Sequence, residues 1–374
     1  MIIFNGGFMK KFTFILSFVA VMFVFSVPSL AVSISAKRAI IIECQSGDII
    51  YEKNAYEKAP MASTTKIMTA LVAIENADLD KKILIDERFV NIEGSSIYLR
   101  VGEILTVREM LYALMLESAN DVATALAYTV GGSIEGFAEM MNKKAREIGA
   151  YSTSFKNPHG LDDDEHYTTA YDLAKIAAYA MENPVFREIV STKSITILKN
   201  TDYPRLLVNH NKLLRGYSGA IGIKTGFTKK CGRCLVSCAE VDGVRLVAVT
   251  LDAPSDWNDH RELLDYGFTQ YENIVLAEPN DYNLSLNVVN GKKSSVLCSN
   301  GNMLSVTLKK GLKNDIRAVF ECEHFLYAPV KRGDLVGKIV YYLDKKEIAS
   351  LPIYATEDSD AIKYKKSIFE RIFS

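Results

Sequence analysis

The chain has 374 residues, of which 48% are hydrophobic and 24% are charged, and its formal net charge is −1. This length exceeds one ordinary hydrophobic core, so two domains are expected. The composition is that of a globular protein, and the near-zero net charge argues against nucleic acid as a partner.

The N-terminus has the pattern of a secretory signal peptide. Lys10 and Lys11 precede an uncharged apolar run over residues 12–27, and Ser29 and Ala31 supply the small side chains at positions −3 and −1 of a cleavage site. Residues 1–31 are therefore predicted to be removed. An uncleaved anchor helix is the alternative, although the run is short for a membrane span of about 20 residues. In either case the rest of the protein is expected to work outside the cytoplasm.

Strand patterns lie at both ends of the following segment, with helical patterns between them. Two apolar runs around the turn at residues 45–48 predict a β-hairpin over residues 38–52. Thr106 and Glu109 form a capping box that opens one predicted helix. The arrangement predicts an α+β domain over residues 32–272, with an antiparallel sheet and a mostly helical subdomain. The patterns predict helices at 62–75, 107–116, 121–128, 134–148, 170–181 and 260–271, and strands near 222–227, 235–240 and 245–251.

Six cysteines in a chain that is expected to be exported invite a disulfide or metal interpretation. Cys231 and Cys234 form a CxxC motif with Cys238 nearby. A thioredoxin-like redox motif should open a helix, however, and these residues precede a β-hairpin pattern. Zinc would require a fourth ligand that no nearby spacing supplies. Structural packing is therefore favoured over redox chemistry or zinc, and no metal or cofactor is expected.

From about residue 273 the chain changes in character. Short β-prone runs lie at 284–288, 304–308, 318–321 and 339–343, and two Asn-Gly pairs supply turns between such runs. The pattern predicts a small all-β domain over residues 273–355, without a catalytic cluster.

The last segment, residues 356–374, is predicted to contain an amphipathic helix over residues 361–374. Apolar side chains occupy one side of this helix, interrupted only by Lys365, and the helix carries four basic residues and one acidic residue. A helix of this length is too short to span a bilayer but suits the lipid interface. A terminal helix packed on the protein's own core is the alternative.

Three short motifs carry the functional signal: Ser63-Thr64-Thr65-Lys66, Ser118-Ala119-Asn120 and Lys224-Thr225-Gly226. They read SxxK, SxN and KTG, in the order found in penicillin-binding proteins and class A β-lactamases. Each motif alone is more often a helix cap, a loop or a strand end. Their joint order, spacing and local context predict an active site.

The first motif supplies a nucleophile and a base. Ser63 and Lys66 lie one helical turn apart, with Ser63 at a helix N-terminus that favours a developing anion. A serine hydroxyl becomes a nucleophile when a base removes its proton. Lys66 is such a base only when neutral, and burial together with the nearby Lys224 cation would lower its pKa.

The other motifs supply proton relay and substrate contacts. Ser118 is suited to pass a proton to the leaving amine, and Asn120 to hold Lys66 and a substrate amide. Lys224 and Thr225, on an edge strand, offer charge and a hydroxyl to a substrate carboxylate. Gly226 allows the substrate backbone to approach closely. The backbone N–H groups of Ser63 and Phe227 are candidate oxyanion donors.

With these motifs the chain resembles the D-alanyl-D-alanine carboxypeptidases, which are low-molecular-mass penicillin-binding proteins. The resemblance extends from the signal peptide to the amphipathic tail and includes residues 157–161 and 166–172. It implies a β-lactamase/transpeptidase-like catalytic domain, an acyl-enzyme on Ser63, Lys66 as base, Ser118 as third member of the triad, and Lys224 on the terminal carboxylate.

The same resemblance implies the partners and the location. Peptidoglycan stem peptides would be the substrates and β-lactams covalent inhibitors. The C-terminal helix would bind the membrane surface, which places the protein at the outer face of the cytoplasmic membrane. His159 and Asp172, in the additional stretch, are interpreted as structural support.

Two positions depart from some members of the family. Those members have Arg between two Asn of a loop before the KTG strand, where this chain has His210. They also have His directly after KTG, where this chain has Phe227. His210 is retained as a candidate substrate-binding residue, and the backbone role of Phe227 is unaffected.

Other functions remain open at this point. A class A β-lactamase needs a Glu-bearing loop, and Glu165, Glu182 and Glu188 do not lie in the ExxLN pattern. DD-endopeptidase activity is compatible with the same motifs. The intact triad argues against a catalytically inactive peptidoglycan-binding protein.

Overall fold

The computed structural model describes residues 32–199 and 201–363. The predicted signal peptide and most of the predicted C-terminal helix lie outside these residues. In chain order, the elements of the N-terminal domain are β1 (Arg38–Glu43), β2 (Ile49–Lys53), α1 (Lys66–Asn76), β3 (Lys82–Leu84), β4 (Ile104–Thr106), α2 (Val107–Leu116), α3 (Asn120–Gly131), α4 (Ile134–Ile148), α5 (Ala170–Glu182), α6 (Pro184–Ser191), β5 (Ser194–Ile197), β6 (Arg205–Val208), α7 (Leu213–Gly216), β7 (Ala220–Thr228), β8 (Gly232–Val241), β9 (Val244–Leu251) and α8 (Asp256–Gln270).

A five-stranded antiparallel sheet forms the centre of this domain, in the order β2-β1-β9-β8-β7. β1 is buried on both faces because its successive side chains alternate between them. Ile40 and Ile42 pack against the helical subdomain, whereas Ala39 and Ile41 pack with Leu263 of α8 on the opposite face. The continuous apolar run of β1 follows from this double burial.

The observed architecture confirms the predicted fold class, and several predicted elements match closely. α2 and α4 have the predicted bounds, and α2 begins with the predicted capping box between Thr106 and Glu109. The predicted helix over residues 62–75 is different: Ala62–Thr65 form a 3₁₀ turn, and the α-helix begins at Lys66. β7 is the outer strand at one edge of the sheet, as predicted.

The C-terminal domain is all-β, as predicted. A two-stranded ladder, β10-β13, accompanies a six-stranded sheet in the order β14-β16-β17-β12-β11-β15. Val296, Ile339 and Ile353 are fully buried in its core. The strands are β10 (Tyr271–Ala277), β11 (Asn283–Val289), β12 (Ser295–Ser299), β13 (Leu304–Lys309), β14 (Ile316–Cys322), β15 (Phe325–Tyr327), β16 (Leu335–Leu343) and β17 (Lys346–Ala355).

The C-terminal domain extends beyond the predicted boundary at residue 355. Ser359 forms a β-bridge with Val330, and Ala361 forms one with Gly291. Residues 361–363 are therefore not helical, in contrast to the predicted helix start, because their backbone continues the β-domain. In the part of the chain that the structure describes, no helix is long and apolar enough to cross a bilayer.

Candidate active site

The predicted site residues Ser63, Ser118, Thr225, Gly226 and Phe227 line one cleft beside the edge strand β7. The cleft has a volume of about 420 Å³. Behind this lining, the predicted residues Lys66, Asn120 and Lys224 are buried in the protein. The walls are completed by Ser95, His210, Lys212, Arg233, Asp256 and Trp257.

The nucleophile lies on a tightly constrained turn. Ala62, directly before Ser63, has φ of 46°, a left-handed conformation that is uncommon for a residue with a side chain. Gly226 of β7 packs against this turn, since a Cβ atom at Gly226 would lie 3.2 Å from the backbone nitrogen of Ser63. The edge strand and the nucleophile turn therefore meet backbone to backbone.

Lys66 is held by three oxygen atoms. Its Nζ lies 2.7 Å from Asn120 Oδ1, 2.7 Å from the carbonyl oxygen of His159 and 3.0 Å from Ser63 Oγ. The first two oxygens only accept hydrogen bonds, so they engage two N–H groups of the lysine. A neutral amine then has its lone pair free toward Ser63 Oγ, which is the geometry required to remove the hydroxyl proton.

Burial lowers the pKa of both lysines. Loss of hydration brings the pKa of Lys66 well below its ordinary value, the Lys224 ammonium lowers it further, and the Asp121 carboxylate opposes the shift. Burial also lowers the pKa of Lys224 to about 7, with Glu117 opposing. A lysine with a depressed pKa is available as a base near neutral pH.

Ser118 and Asn120 lie where helix α2 ends and helix α3 begins. Ser118 has φ of 61°, and its buried Oγ makes no hydrogen bond with any residue that the structure describes. The Asn120 side chain is oriented by donation from Nδ2 to the carbonyl of Glu93 at 2.6 Å. The amide oxygen is thereby directed to Lys66, as the sequence analysis expects.

Asp121 is a supporting residue that the sequence analysis did not identify. Its buried carboxylate accepts hydrogen bonds from Ser96 Oγ at 2.6 Å and from the backbone N–H of Leu99 at 3.1 Å. These contacts fix the loop that carries Ser95 to the cleft. The only signal in the sequence is its position directly after the SxN motif.

Residues in the stretch after residue 157 support the site through hydrogen bonds. His159 contributes its backbone carbonyl to Lys66, and burial lowers the pKa of its imidazole to about 3. His166 Nε2 lies 2.7 Å from Thr65 Oγ1 behind the nucleophile turn. Asp172 accepts hydrogen bonds from Ser152 and Thr153, and it is not among the residues that line the cleft.

His210 and Lys224 differ in their access to the cleft. His210 is half exposed, and its Nε2 lies 3.1 Å from Glu117 Oε2. Lys224 is buried, and its Nζ donates to the carbonyl of Thr225 at 2.9 Å. Lys224 is not among the residues that line the cleft.

The cysteines lie outside this cleft. Cys234 and Cys238 are fully buried on one face of β8 with Val236. All six cysteines are free thiols, and Cys231 Sγ lies 3.9 Å from Cys234 Sγ. Among the described residues, no group of three or more His, Cys, Asp or Glu side chains could hold a metal ion.

A serine beside a buried lysine, a second serine with an asparagine, and a KTG edge strand define a serine acyl-transfer enzyme of the penicillin-binding type. Comparison with known proteins agrees with this class. A family model described as D-alanyl-D-alanine carboxypeptidase matches residues 24–255. A second, the C-terminal domain of penicillin-binding protein 5, matches residues 271–361. The chain belongs to the D-alanyl-D-alanine carboxypeptidase family and is a serine-type peptidase.

Individual relatives match along most of their length. The chain is 36% identical to D-alanyl-D-alanine carboxypeptidase DacF of Bacillus subtilis, over 86% of this chain and 85% of that protein. It is 32% identical to DacC of Escherichia coli, over 88% and 85% of the two chains. A crystal structure of a peptidoglycan synthesis regulatory factor (PBP3) from Streptococcus pneumoniae superposes with a TM-score of 0.73 at 27% identity, covering 88% of this chain and all of that one.

Replacement of Gly160 by alanine should damage both the fold and the nucleophile turn. Gly160 has φ of +86°, and a Cβ atom there would lie 1.9 Å from the carbonyl oxygen of Ala62. Gly102 is the matched control, because its φ is +89° but a Cβ atom would meet nothing within 4 Å. Gly102→Ala should therefore show only the left-handed backbone cost of about 1–2 kcal/mol.

We expect Gly160→Ala to unfold at clearly lower urea concentration than Gly102→Ala and to react more slowly with fluorescent penicillin. Equal unfolding midpoints with unchanged penicillin labelling would contradict this account of the turn.

Proposed function

We propose that the chain removes the terminal D-alanine from peptidoglycan pentapeptide stems through an acyl-enzyme on Ser63. The observation that carries this proposal is the hydrogen-bond set of Lys66, which leaves one direction of Nζ for the Ser63 hydroxyl. Family membership supports the substrate class and the covalent reaction with β-lactams.

Acylation begins with transfer of the Ser63 proton to neutral Lys66. Ser63 Oγ then forms a bond to the carbonyl carbon of the penultimate D-alanine, and the carbonyl electron pair moves to oxygen. The backbone N–H groups of Ser63 and Phe227 hold this oxyanion. Gly226 allows the edge strand that carries Phe227 to approach the turn that carries Ser63 closely.

Breakdown of the intermediate requires a proton on the leaving amine. Ser118 suits this role, since the residue borders the cleft and its buried hydroxyl has no hydrogen-bond partner among the described residues. Ser118 donates its proton to the departing D-alanine nitrogen and is reprotonated from Lys66. The carbon–nitrogen bond breaks and leaves an ester on Ser63, which water then hydrolyses with Lys66 again acting as base.

A β-lactam follows the same first steps. Its amide bond lies within a ring, so the leaving nitrogen stays attached to the acyl group after the bond breaks. The ester on Ser63 then persists in the cleft, and the enzyme is inhibited covalently.

We also propose that the protein is exported and works at the outer face of the cytoplasmic membrane. The charged and apolar pattern of residues 1–31 supports export, and the basic amphipathic pattern of residues 364–374 supports binding to the lipid interface. The stem peptides of peptidoglycan lie on this side of the membrane.

The proposed reaction is tested by D-alanine release from a synthetic pentapeptide stem. The wild-type protein should release one D-alanine per peptide and become labelled by fluorescent penicillin. Ser63→Ala should lose both, with unchanged thermal unfolding. A protein that retains D-alanine release after this substitution would refute Ser63 as the nucleophile.

The electrostatic role of Lys224 is tested by the pH dependence of penicillin acylation. The rate rises with pH as Lys66 loses its proton, and Lys224→Gln removes a cation that lowers the pKa of Lys66. The rising limb of the pH–rate profile should therefore move to higher pH in Lys224→Gln. The matched control is Lys230→Gln, an exposed lysine paired with Asp164, which should leave the limb in place. An unmoved limb in Lys224→Gln would contradict the role.

The membrane proposal is tested by ending the chain at residue 363. This truncation keeps the described contacts of Ser359 and Ala361 with the β-domain. The processed, truncated protein should move from the membrane fraction to the soluble exported fraction. Processed protein that stays with the membrane would show that another part of the chain binds it.

A further inference from the structure

The thiols of Cys231 and Cys234 lie close together at the end of the β7–β8 hairpin, outside the cleft. Their sulfur atoms are 3.9 Å apart, and the Cys234 thiol donates to the sulfur of Cys231. Cys231 lies in the turn and Cys234 in strand β8. Gly232 between them has φ of +70°, a left-handed conformation that turns the chain at the start of β8. A disulfide has an S–S distance of about 2.05 Å, so the two sulfurs must approach by roughly 2 Å to bond.

The two thiols are unequal in reactivity. The hydrogen bond from Cys234 lowers the pKa of Cys231 to about 7, with Thr228 acting in the same direction and burial opposing. The same hydrogen bond, together with burial, raises the pKa of Cys234 well above its ordinary value. The thiolate is the nucleophilic form of cysteine. Cys231 is therefore the thiol that reacts first, and Cys234 is in place to react with it.

Cys234 adjoins the segments that form the reaction centre. It lies directly opposite Gly226 in the ladder between β7 and β8. Gly226 packs against the turn that carries Ser63, and Ala62 of that turn belongs to the same buried cluster as Cys234. Cys234 is fully buried within a paired strand, so it is the less mobile partner of the two thiols.

The shift that a disulfide requires therefore falls mainly on Cys231. Its backbone N–H donates to Thr228 Oγ1 at 3.1 Å, and Thr228 Oγ1 donates to Asp162 Oδ1 at 2.9 Å. Thr228 is the last residue of β7 and directly follows Phe227, whose backbone N–H is a candidate oxyanion donor. A movement of Cys231 toward Cys234 thus disturbs the contacts that fix the end of the edge strand.

We propose that Cys231 and Cys234 are a peroxide-sensitive dithiol and that formation of their disulfide slows the acylation of Ser63. The structure brings the two sulfurs together in a hairpin, without the helix of a thioredoxin motif, so the pair is more than structural packing. Hydrogen peroxide is a small neutral oxidant, which suits a thiol that is only 3% exposed. Export, as proposed for this chain, would place the pair outside the reducing cytoplasm.

The oxidation proceeds in two balanced steps. The Cys231 thiolate attacks one oxygen of hydrogen peroxide, the O–O bond breaks, and the leaving hydroxide takes the proton that the thiol had released. Cys231 then carries a sulfenic acid. The sulfur of Cys234 attacks the sulfur of Cys231, the S–O bond breaks, and hydroxide leaves as water with the Cys234 proton. Two thiols are oxidised to one disulfide, and one peroxide is reduced to two waters.

Peptide mapping detects the disulfide directly. The protein is treated with hydrogen peroxide, the remaining thiols are blocked with iodoacetamide in urea, and the chain is cut with trypsin. Trypsin cuts after Lys230, Arg233 and Arg245, so the two cysteines fall on the separate peptides 231–233 and 234–245. These two peptides should be linked through Cys234, as assigned by fragmentation, and dithiothreitol should separate them.

Two results of the mapping would overturn the proposal. One is the absence of a link between these peptides after peroxide treatment. The other is a link from peptide 234–245 to peptide 39–53 in its place, because that peptide carries Cys44.

The effect on acylation is measured as the rate of labelling by fluorescent penicillin before and after peroxide. A small displacement at a reaction centre has a large effect on rate, so the oxidised wild-type protein should label about 3–30-fold more slowly. Dithiothreitol should restore the rate, which separates the disulfide from oxidised methionine, since methionine sulfoxide is restored by dedicated reductases. An unchanged labelling rate in protein that carries the disulfide would refute the coupling to Ser63.

Three variants make the result specific, each compared with its own untreated sample so that a change in basal rate does not matter. Cys231→Ala removes the thiol that reacts first and should label equally fast before and after peroxide. Cys234→Ala should form no linked peptides. Cys322→Ala, the matched control, removes a half-buried thiol of the C-terminal domain and should keep the full response.

A Cys231→Ala protein that still slows with peroxide and recovers with dithiothreitol would overturn the assignment. The inference goes beyond the proposed function and fails separately from it. If the untreated wild-type protein is not labelled by penicillin, the proposed function fails, whereas the peptide map still decides whether the dithiol forms a disulfide.

Discussion

The burial of Lys66 beside Ser63 is the constraint on which the rest of the site depends. A charged ammonium without water is unfavourable, and a shift of one pKa unit corresponds to about 1.4 kcal/mol. Two acceptor-only oxygens, from Asn120 and His159, hold the amine in place. The Lys224 cation disfavours protonation. The protein thus keeps a base next to a hydroxyl that would otherwise be unreactive.

The fold supplies this environment by bringing distant segments into backbone contact. Gly226 allows the edge strand β7 to contact the nucleophile turn closely. Gly160 allows the loop over residues 157–161 to contact the same turn. Asp121 fixes the loop that carries Ser95 to the cleft through buried hydrogen bonds. The strained turn at Ala62 is therefore enclosed on several sides, which is how an uncommon backbone conformation is maintained at a reactive residue.

Much of this arrangement could be predicted from the sequence, because the motifs carry their own local structure. SxxK places two side chains one turn apart, and the capping box at Thr106 and Glu109 sets the start of α2. The sequence also indicated the edge strand and the all-β domain. The 3₁₀ turn at Ser63 was not predictable, since a helical pattern continues through it. Short strands such as β3 and β4 have too few residues to show a period.

The residues that were missed depend on contacts between distant segments. Asp256 lies before the helix that the sequence predicts over residues 260–271. Only the packing of α8 beside β8 brings it to Arg233. Arg233 lies within the CxxC motif, and the interpretation of that motif concerns the thiols rather than the guanidinium. The end of the β-domain was misplaced because single β-bridges at Ser359 and Ala361 have no pattern in the sequence.

The central claim is that Lys66 acts as the base because burial and the neighbouring Lys224 cation lower its pKa well below the ordinary lysine value. It is tested most directly by titrating the ¹³Cε resonance of Lys66 in protein labelled with ¹³C-lysine, assigned by its absence in Lys66→Arg. The account predicts a pKa well below the ordinary lysine value, with an upward shift in Lys224→Gln. A Lys66 resonance that titrates near the ordinary value of about 10.4 would contradict it.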